Sequence, residues 1–133
     1  MISISYYVKT SLFPFKARQP AVSISSDEQT ILVGASWVDD YIGASWVFNY
    51  NASNDTWYEQ AKLVGTSTPS SQQGTSVSLS SDGTYALIGG PGNANQTGGA
   101  WIFTRDSFGN WNQVGETLIG NDENGTSELV VLL

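Results

Sequence analysis

The sequence contains no cysteine and no histidine, and only 13% of its 133 residues are charged. Without cysteine the chain has no disulfide bond, no thiolate nucleophile and no thiolate metal ligand. Without histidine it lacks the commonest general base and the commonest metal-binding side chain. The low charge content also argues against long solvent-exposed helices, which are rich in Lys, Glu and Arg. These absences exclude many enzyme classes and favour a chain of strands and turns.

Basic residues are scarce as well. Five Lys and Arg stand against twelve Asp and Glu, so the formal net charge is −7 and the isoelectric point is near 4.1. Nucleic-acid-binding proteins normally carry a basic stripe, and we therefore expect no nucleic-acid partner. The longest apolar run covers residues 129–133, far short of the roughly 20 residues that a membrane-spanning helix needs. The sequence predicts no membrane span.

An internal repeat with an offset of 55 dominates the residues that are present. Residues 21–27 (AVSISSD) align with 76–82 (SVSLSSD), 31–35 (ILVGA) with 86–90 (ALIGG), and 45–48 (SWVF) with 100–103 (AWIF). Each copy has four short runs of alternating, β-branched and aromatic residues with turn residues between them. In the second copy these runs cover about residues 75–80, 84–90, 99–105 and 110–119. The sequence therefore predicts an all-β chain in which each repeat is one four-stranded antiparallel blade of a β-propeller.

Small residues and tryptophans recur at fixed places in the two copies. Gly34-Ala35 and Gly89-Gly90 end the second strand of each copy, where we expect a neighbouring blade to approach closely. Trp46 and Trp101 are expected to fill the layer between adjacent blades rather than to stack on a ligand.

At these residues the chain resembles the FG-GAP repeat family, whose members form integrin-alpha-like β-propellers. Residues 89–91 (GGP) and 34–36 (GAS) correspond to the GAP element. Gln73-Gly74 corresponds to the FG element with Gln in place of Phe, and Gln19-Pro20 stands at that place in the first copy. The resemblance covers about residues 20–127.

The resemblance implies two FG-GAP-like blades, over residues 20–73 and 74–124. Residues 1–19 are then the possible end of a preceding blade, and residues 125–133 begin a third, truncated repeat. Propellers close with 4–8 blades. We therefore expect the chain to be a fragment of a larger propeller, or to complete a ring by self-association.

Members of the family often bind calcium in a loop that precedes the GAP element. Calcium needs six to eight oxygen ligands. Here only Asp27 and Asp82 remain in register with the carboxylates of that loop, one in each copy. We therefore predict no metal site, and nothing in the sequence indicates a cofactor.

Adjacent acidic pairs are the remaining route to catalysis. All three lie in predicted turns, where acids usually serve solubility and turn formation: Asp27-Glu28, Asp39-Asp40 and Asp122-Glu123. No G-x-S-x-G motif is present, and a Ser-based triad would lack its histidine. The sequence predicts a protein that is not an enzyme and nominates no catalytic residue.

Besides an enzyme fragment that uses acidic residues from missing blades, three functional interpretations stay open. The leading one is an interaction, adhesion or scaffold module that binds a protein partner through the loops at residues 36–43 and 91–98. The second is a carbohydrate-binding module with Trp37, Tyr41 and Tyr58 as stacking residues. The third is an incomplete fragment without independent function. Four N-glycosylation motifs in predicted loops favour an extracellular or cell-surface glycoprotein; their acceptors are Asn51, Asn54, Asn95 and Asn124.

Overall fold

A computed structural model describes residues 20–120 of the chain. The expectations for residues 1–19, for Asn124 and for a third repeat at 125–133 lie outside the described residues. Eight strands form: β1 (Ala21–Ile24), β2 (Thr30–Ala35), β3 (Ala44–Asn51), β4 (Thr56–Leu63), β5 (Ser76–Leu79), β6 (Tyr85–Gly90), β7 (Gly99–Arg105) and β8 (Trp111–Gln113). Within residues 20–120 no helix is long and apolar enough to cross a lipid bilayer.

The strands form two four-stranded antiparallel sheets, with the orders β1-β2-β3-β4 and β5-β6-β7-β8. The strands pair in the same register in both sheets. Val33 pairs with Trp46 in the first sheet, and the residues 55 positions later, Ile88 and Trp101, pair in the second. The prediction of an all-β chain with one four-stranded antiparallel unit in each repeat is confirmed.

The last strand of the second sheet is shorter than predicted. The sequence predicted a strand over residues 110–119, whereas β8 ends at Gln113. Gly115 then adopts a positive φ of 69°, and Leu118 returns to form an isolated bridge with Ala100. The detour interrupts the ladder, because a left-handed residue cannot continue a regular strand.

Each sheet has two faces, because side chains alternate along a strand. We call face A the face that carries Ile31, Val33 and Phe48 in the first sheet and, at the same offset, Ala86, Ile88 and Phe103 in the second. Face B is the opposite face, which in the first sheet carries Leu32, Val47 and Leu63. Face B of the first sheet packs on face A of the second and forms the main apolar core. The two sheets thus stack in sequence order.

Trp101 lies in this layer and is completely buried. Its Nε1 donates a hydrogen bond to the carbonyl oxygen of Thr66 at 2.7 Å, and a Cβ at Gly65 would overlap the indole ring. This confirms the expected packing role of Trp101. Trp46 lies at the equivalent place on face A of the first sheet and is only half-buried; the Lys62 Nζ lies 5.5 Å from its ring centroid.

Glycines bring the backbones of the two repeats together at the ends of β2 and β6. A Cβ on Gly34 would overlap the backbone of Gly74, and a Cβ on Gly90 would lie 2.5 Å from the carbonyl oxygen of Ser71. The Gly74 N–H donates to the carbonyl oxygen of Gly89 at 3.1 Å. The expectation that these small residues allow close approach is confirmed for Gly34 and Gly90.

Candidate functional site

The β2–β3 and β6–β7 connections each contain a left-handed turn. In Val38–Tyr41 the φ angles of Asp39, Asp40 and Tyr41 are 51°, 53° and 64°. In Asn93–Gln96 the φ angles at the equivalent places are 51°, 55° and 71°. Left-handed backbone costs an L-residue other than glycine about 1–2 kcal/mol. The same strained conformation is therefore built twice, without a glycine at any of the six positions.

A third segment joins the two turns into one surface. The Gln72 N–H donates to the Tyr41 carbonyl oxygen at 2.7 Å, and the Gly92 N–H donates to the Ser71 carbonyl oxygen at 3.2 Å. We call the surface formed by residues 36–43, 68–73 and 91–98 the turn edge. Eight of the ten non-glycine residues with positive φ between residues 20 and 120 lie on it. Such concentrations of backbone strain are typical of functional surfaces.

Buried polar groups hold the second turn in place. Asn93 is only 2% exposed, and its Oδ1 accepts hydrogen bonds from the N–H and Oγ1 of Thr68 at 3.1 and 3.2 Å. The Thr68 Oγ1 in turn accepts a hydrogen bond from the N–H of Ala94 at 2.8 Å. These contacts fix the backbone that carries the strained residues, so the turn edge is preorganised.

Gln73 anchors the segment 68–73 from beneath. Its side chain is completely buried, its Oε1 accepts from the Gly65 N–H at 2.7 Å, and its Nε2 donates to the Gly65 carbonyl oxygen at 2.9 Å. The amide thus replaces a backbone partner for Gly65, which a phenylalanine at this place could not do.

The turn edge presents different side chains from the two repeats. The first turn exposes Asp39, Asp40 and Tyr41, the last of which is 45% exposed. The second exposes Asn95 and Gln96. These groups provide hydrogen-bond donors, acceptors and one exposed aromatic ring.

Charge on the turn edge is partly balanced. The Lys62 Nζ lies 3.2 Å from the Asp39 Oδ2 in an exposed ion pair, and such pairs contribute little to stability. Asp40 lies beside this pair and keeps the surface acidic. A ligand with hydroxyl, amide or cationic groups therefore fits this surface better than an anion does.

The structure brings two of the three predicted stacking residues together. Trp37 is half-buried immediately before the left-handed turn that contains Tyr41. Tyr58 is 48% exposed but pairs with Asn49 near the other end of β3. Five residues of strand separate Asn49 from the start of β3, a distance of about 17 Å. The predicted set of three is therefore not one site.

The glycosylation candidates fall in two places. Asn51 and Asn54 lie at the β3–β4 hairpin, where the Asn51 Oδ1 accepts from the Ser53 N–H at 2.9 Å. The Asn54 Oδ1 accepts from the Thr56 Oγ1 at 2.6 Å. Asn95 is exposed within the second left-handed turn. Asn54 and Asn95 are thus both accessible at the surface.

Asp27 and Asp82, the two aspartates that the resemblance aligns with a calcium-binding loop, form hydrogen bonds within their own turns. The Asp82 Oδ1 accepts from the Ser80 Oγ and from the N–H and Oγ1 of Thr84 at 2.7–3.0 Å. These hydrogen bonds, above all that from Ser80, lower the pKa of Asp82 to about 2. A hydrogen bond from Ser25 likewise lowers the pKa of Asp27. Within residues 20–120, no three His, Cys, Asp or Glu side chains are grouped closely enough to hold a metal ion.

Phe108 was not singled out from the sequence, yet it is 89% exposed. It lies at the tip of the β7–β8 hairpin, whose Asp106 carboxylate accepts hydrogen bonds from the N–H groups of Phe108 and Asn110 at 2.9 Å. An aromatic residue inside the turn sequence Ser107-Phe108-Gly109 was the available signal, since a tight turn leaves its side chain no core to enter.

Comparison with known proteins assigns no family: no protein-family model matches the chain, and no curated protein matches it significantly.

Proposed function

We propose that the two sheets are FG-GAP-like β-propeller blades and that the chain is a non-enzymatic interaction module that binds a protein partner through the turn edge. The ordered repeat, the meander in each sheet and the stacking of face B on face A support the blade assignment. The observation that carries the binding role is the pair of matching left-handed turns on one edge.

The two turns share a backbone and differ in every left-handed side chain. The first carries Asp39, Asp40 and Tyr41, and the second carries Ala94, Asn95 and Gln96. A constant, strained scaffold with variable exposed side chains is the arrangement by which rigid β-folds present recognition loops. The strain is explained if the turns hold these side chains in a fixed geometry for a partner.

A binding screen with two matched variants tests this role. The chain is applied to an array of purified cell-surface and secreted protein domains. The edge variant combines Asp40→Ala, Tyr41→Ala and Gln96→Ala. The control variant combines Glu28→Ala, in the β1–β2 turn, and Thr56→Ala, at the first residue of β4, both at the opposite ends of the strands from the turn edge. We expect a bound domain to be lost with the edge variant and kept with the control. Equal binding by both variants, or loss with the control alone, would contradict the proposal.

Carbohydrate binding is the second candidate, and the position of Trp37 immediately before the turn that contains the exposed Tyr41 favours it. Aromatic rings beside carboxylate and amide groups suit the apolar faces and hydroxyl groups of sugars. On a glycan array, binding lost with Trp37→Ala and Tyr41→Ala but kept with Tyr58→Ala would support this function. Absence of binding to every glycan at millimolar concentration would exclude it.

We also propose that the protein is an extracellular or cell-surface glycoprotein, which the exposure of Asn54 and Asn95 supports. Expression in a secretory eukaryotic host is expected to attach glycans at these residues. Peptide mass spectrometry before and after enzymatic deglycosylation measures their occupancy. Secreted protein with unmodified Asn54 and Asn95 would contradict the proposal.

A further inference from the structure

A cleft of about 590 Å³ opens at the ends of the strands opposite the turn edge. Its volume is that of a typical small-molecule site. We call it the hairpin cleft, because most of its lining comes from the β7–β8 hairpin: Thr84, Arg105, Asp106, Ser107, Phe108 and Gly109. The length of the strands separates it from the turn edge, so a ligand bound here does not compete with a partner bound there.

Arg105 brings a cation without a counter-ion to this cleft. Lys62 and Arg105 are the two basic side chains of residues 20–120. Lys62 forms the ion pair described above, whereas no carboxylate in the described part of the chain lies within ion-pair distance of Arg105. The Asp106 carboxylate, which also lines the cleft, accepts hydrogen bonds from two backbone N–H groups of its own turn instead. The planar guanidinium group offers five donors in a geometry that matches a carboxylate, so the cleft favours an anionic ligand.

Exposed aromatic rings lie on both sheets at this end. Phe108 lines the cleft and is 89% exposed. Its hairpin is tied to the first sheet, because the Gln60 Nε2 donates a hydrogen bond to the Gly109 carbonyl oxygen at 3.3 Å. Tyr58 is 48% exposed and lies two residues before Gln60, on the same face of β4 and about 7 Å away along the strand. An apolar ring bound beside Arg105 therefore has aromatic partners from both repeats.

A buried acceptor without a hydrogen-bond partner lies on the first sheet at the same end. The Asn49 Oδ1 is buried and accepts no hydrogen bond. Asn49 is on face B, because it follows Phe48 of face A along the strand, and it pairs with Thr30 on one side and Tyr58 on the other. The β5–β6 turn approaches Thr30, where a Cβ on Gly83 would lie 3.2 Å from the Thr30 Oγ1. Asn49 thus lies between the two places where turns of the second sheet meet the first. A buried acceptor of this kind is costly unless a donor reaches it, and a ligand hydroxyl group supplies one.

We propose that the hairpin cleft binds a small organic acid whose carboxylate is attached to a hydroxyl-bearing ring. Arg105 binds the carboxylate through paired N–H donors, Phe108 and Tyr58 contact the faces of the ring, and Asn49 accepts a hydrogen bond from a hydroxyl group. Aromatic acids and sugar acids share this chemistry. The inference does not rest on the turn edge, so its failure leaves the binding role above untouched.

Nuclear magnetic resonance titration of the isotope-labelled full chain tests the site. The probes are para-hydroxybenzoate and glucuronate, which distinguish an aromatic acid from a sugar acid. We expect one of them to shift the backbone amide signals of Thr84, Phe108 and Gly109 saturably at millimolar concentration, while the signal of Tyr41 on the turn edge stays unchanged. The uncharged counterparts, para-hydroxybenzamide and glucose, are expected to leave all these signals unchanged.

Two variants with the same change in net charge locate the carboxylate. Arg105→Gln is expected to weaken binding of the acid by at least about tenfold, whereas Lys62→Gln, at the other end of the strands, keeps the wild-type affinity. Phe108→Ala is also expected to weaken binding, and the exposure of Phe108 leaves the fold intact, which circular dichroism checks for all three variants. Unshifted cleft signals with both acids would overturn the proposal, as would equal affinity for an acid and its uncharged counterpart. Equal affinities of Arg105→Gln and Lys62→Gln would overturn it too.

Discussion

Replacing Ala94 with glycine is expected to stabilise the protein, although the same change in an ordinary helix or strand is destabilising. Ala94 has φ 51° and ψ 53° in the second left-handed turn. Left-handed backbone costs a non-glycine residue about 1–2 kcal/mol, and glycine avoids that cost. Glycine also raises the conformational entropy of the unfolded chain, and this offsets about 0.5–1 kcal/mol of that stabilisation. The net gain in the free energy of unfolding is therefore about 0.5–1 kcal/mol.

Thermal and urea unfolding measure this gain. For a domain of this size, it corresponds to an increase in Tm of roughly 2–5 °C. Ala52→Gly is the control, because Ala52 is exposed in the β3–β4 hairpin and does not have a positive φ. The control is expected to be neutral or slightly destabilising. Equal destabilisation by both changes would show that the turn is not left-handed, and the argument for a strained, preorganised turn edge would fail with it.

Three further changes have expected outcomes in unfolding experiments. Gly74→Ala should lower the free energy of unfolding by more than about 3 kcal/mol, because its Cβ would lie 2.6 Å from a carbonyl oxygen of β3. Gly115→Ala meets open space and should lower it by about 1 kcal/mol. Equal urea midpoints for the two variants would contradict this difference. Gln73→Leu should cost about 2–4 kcal/mol by leaving the Gly65 N–H and carbonyl unpaired, and an unchanged midpoint would refute that role. The pKa of Asp82 is about 2 in the folded state, below its value in the unfolded chain. The ionised Asp82 carboxylate therefore stabilises the folded state, and this stabilisation is lost as the pH falls from about 4 to about 2. Asp82→Asn should therefore flatten the dependence of Tm on pH in that range.

Most of the strand arrangement could be predicted from the sequence, because it depends on local patterns. Alternating and β-branched residues placed β5, β6 and β7 within one residue of their observed ends. The predicted end of the last strand was wrong, because Gly115 adopts a left-handed conformation that the alternation of side chains does not reveal. The buried amide of Gln73 depends on a backbone partner eight residues away, so its role emerged only from the fold.

The candidate site was predictable as a pair of loops but not as a surface. Residues 36–43 and 91–98 were selected because they connect equivalent strands in the two repeats. Nothing in Asp39-Asp40-Tyr41 or Ala94-Asn95-Gln96 requires three successive left-handed residues, because only glycine signals that conformation strongly. The tertiary hydrogen bonds of Ser71, Gln72 and Thr68 impose it. The position of Tyr58 at the other end of β3 likewise follows from strand direction.

The stacking of the second repeat on the first is the central claim of this account, and nuclear Overhauser contacts test it most directly. In an isotope-labelled sample, we expect cross-peaks between the Gly65 α protons and the indole Hδ1 of Trp101, which lie against each other. We also expect cross-peaks between the Gln60 side-chain amide and the indole N–H of Trp111, whose Nε1 lies 3.1 Å from the Gln60 Oε1. Tryptophan contacts confined to the second repeat would contradict the stacked arrangement.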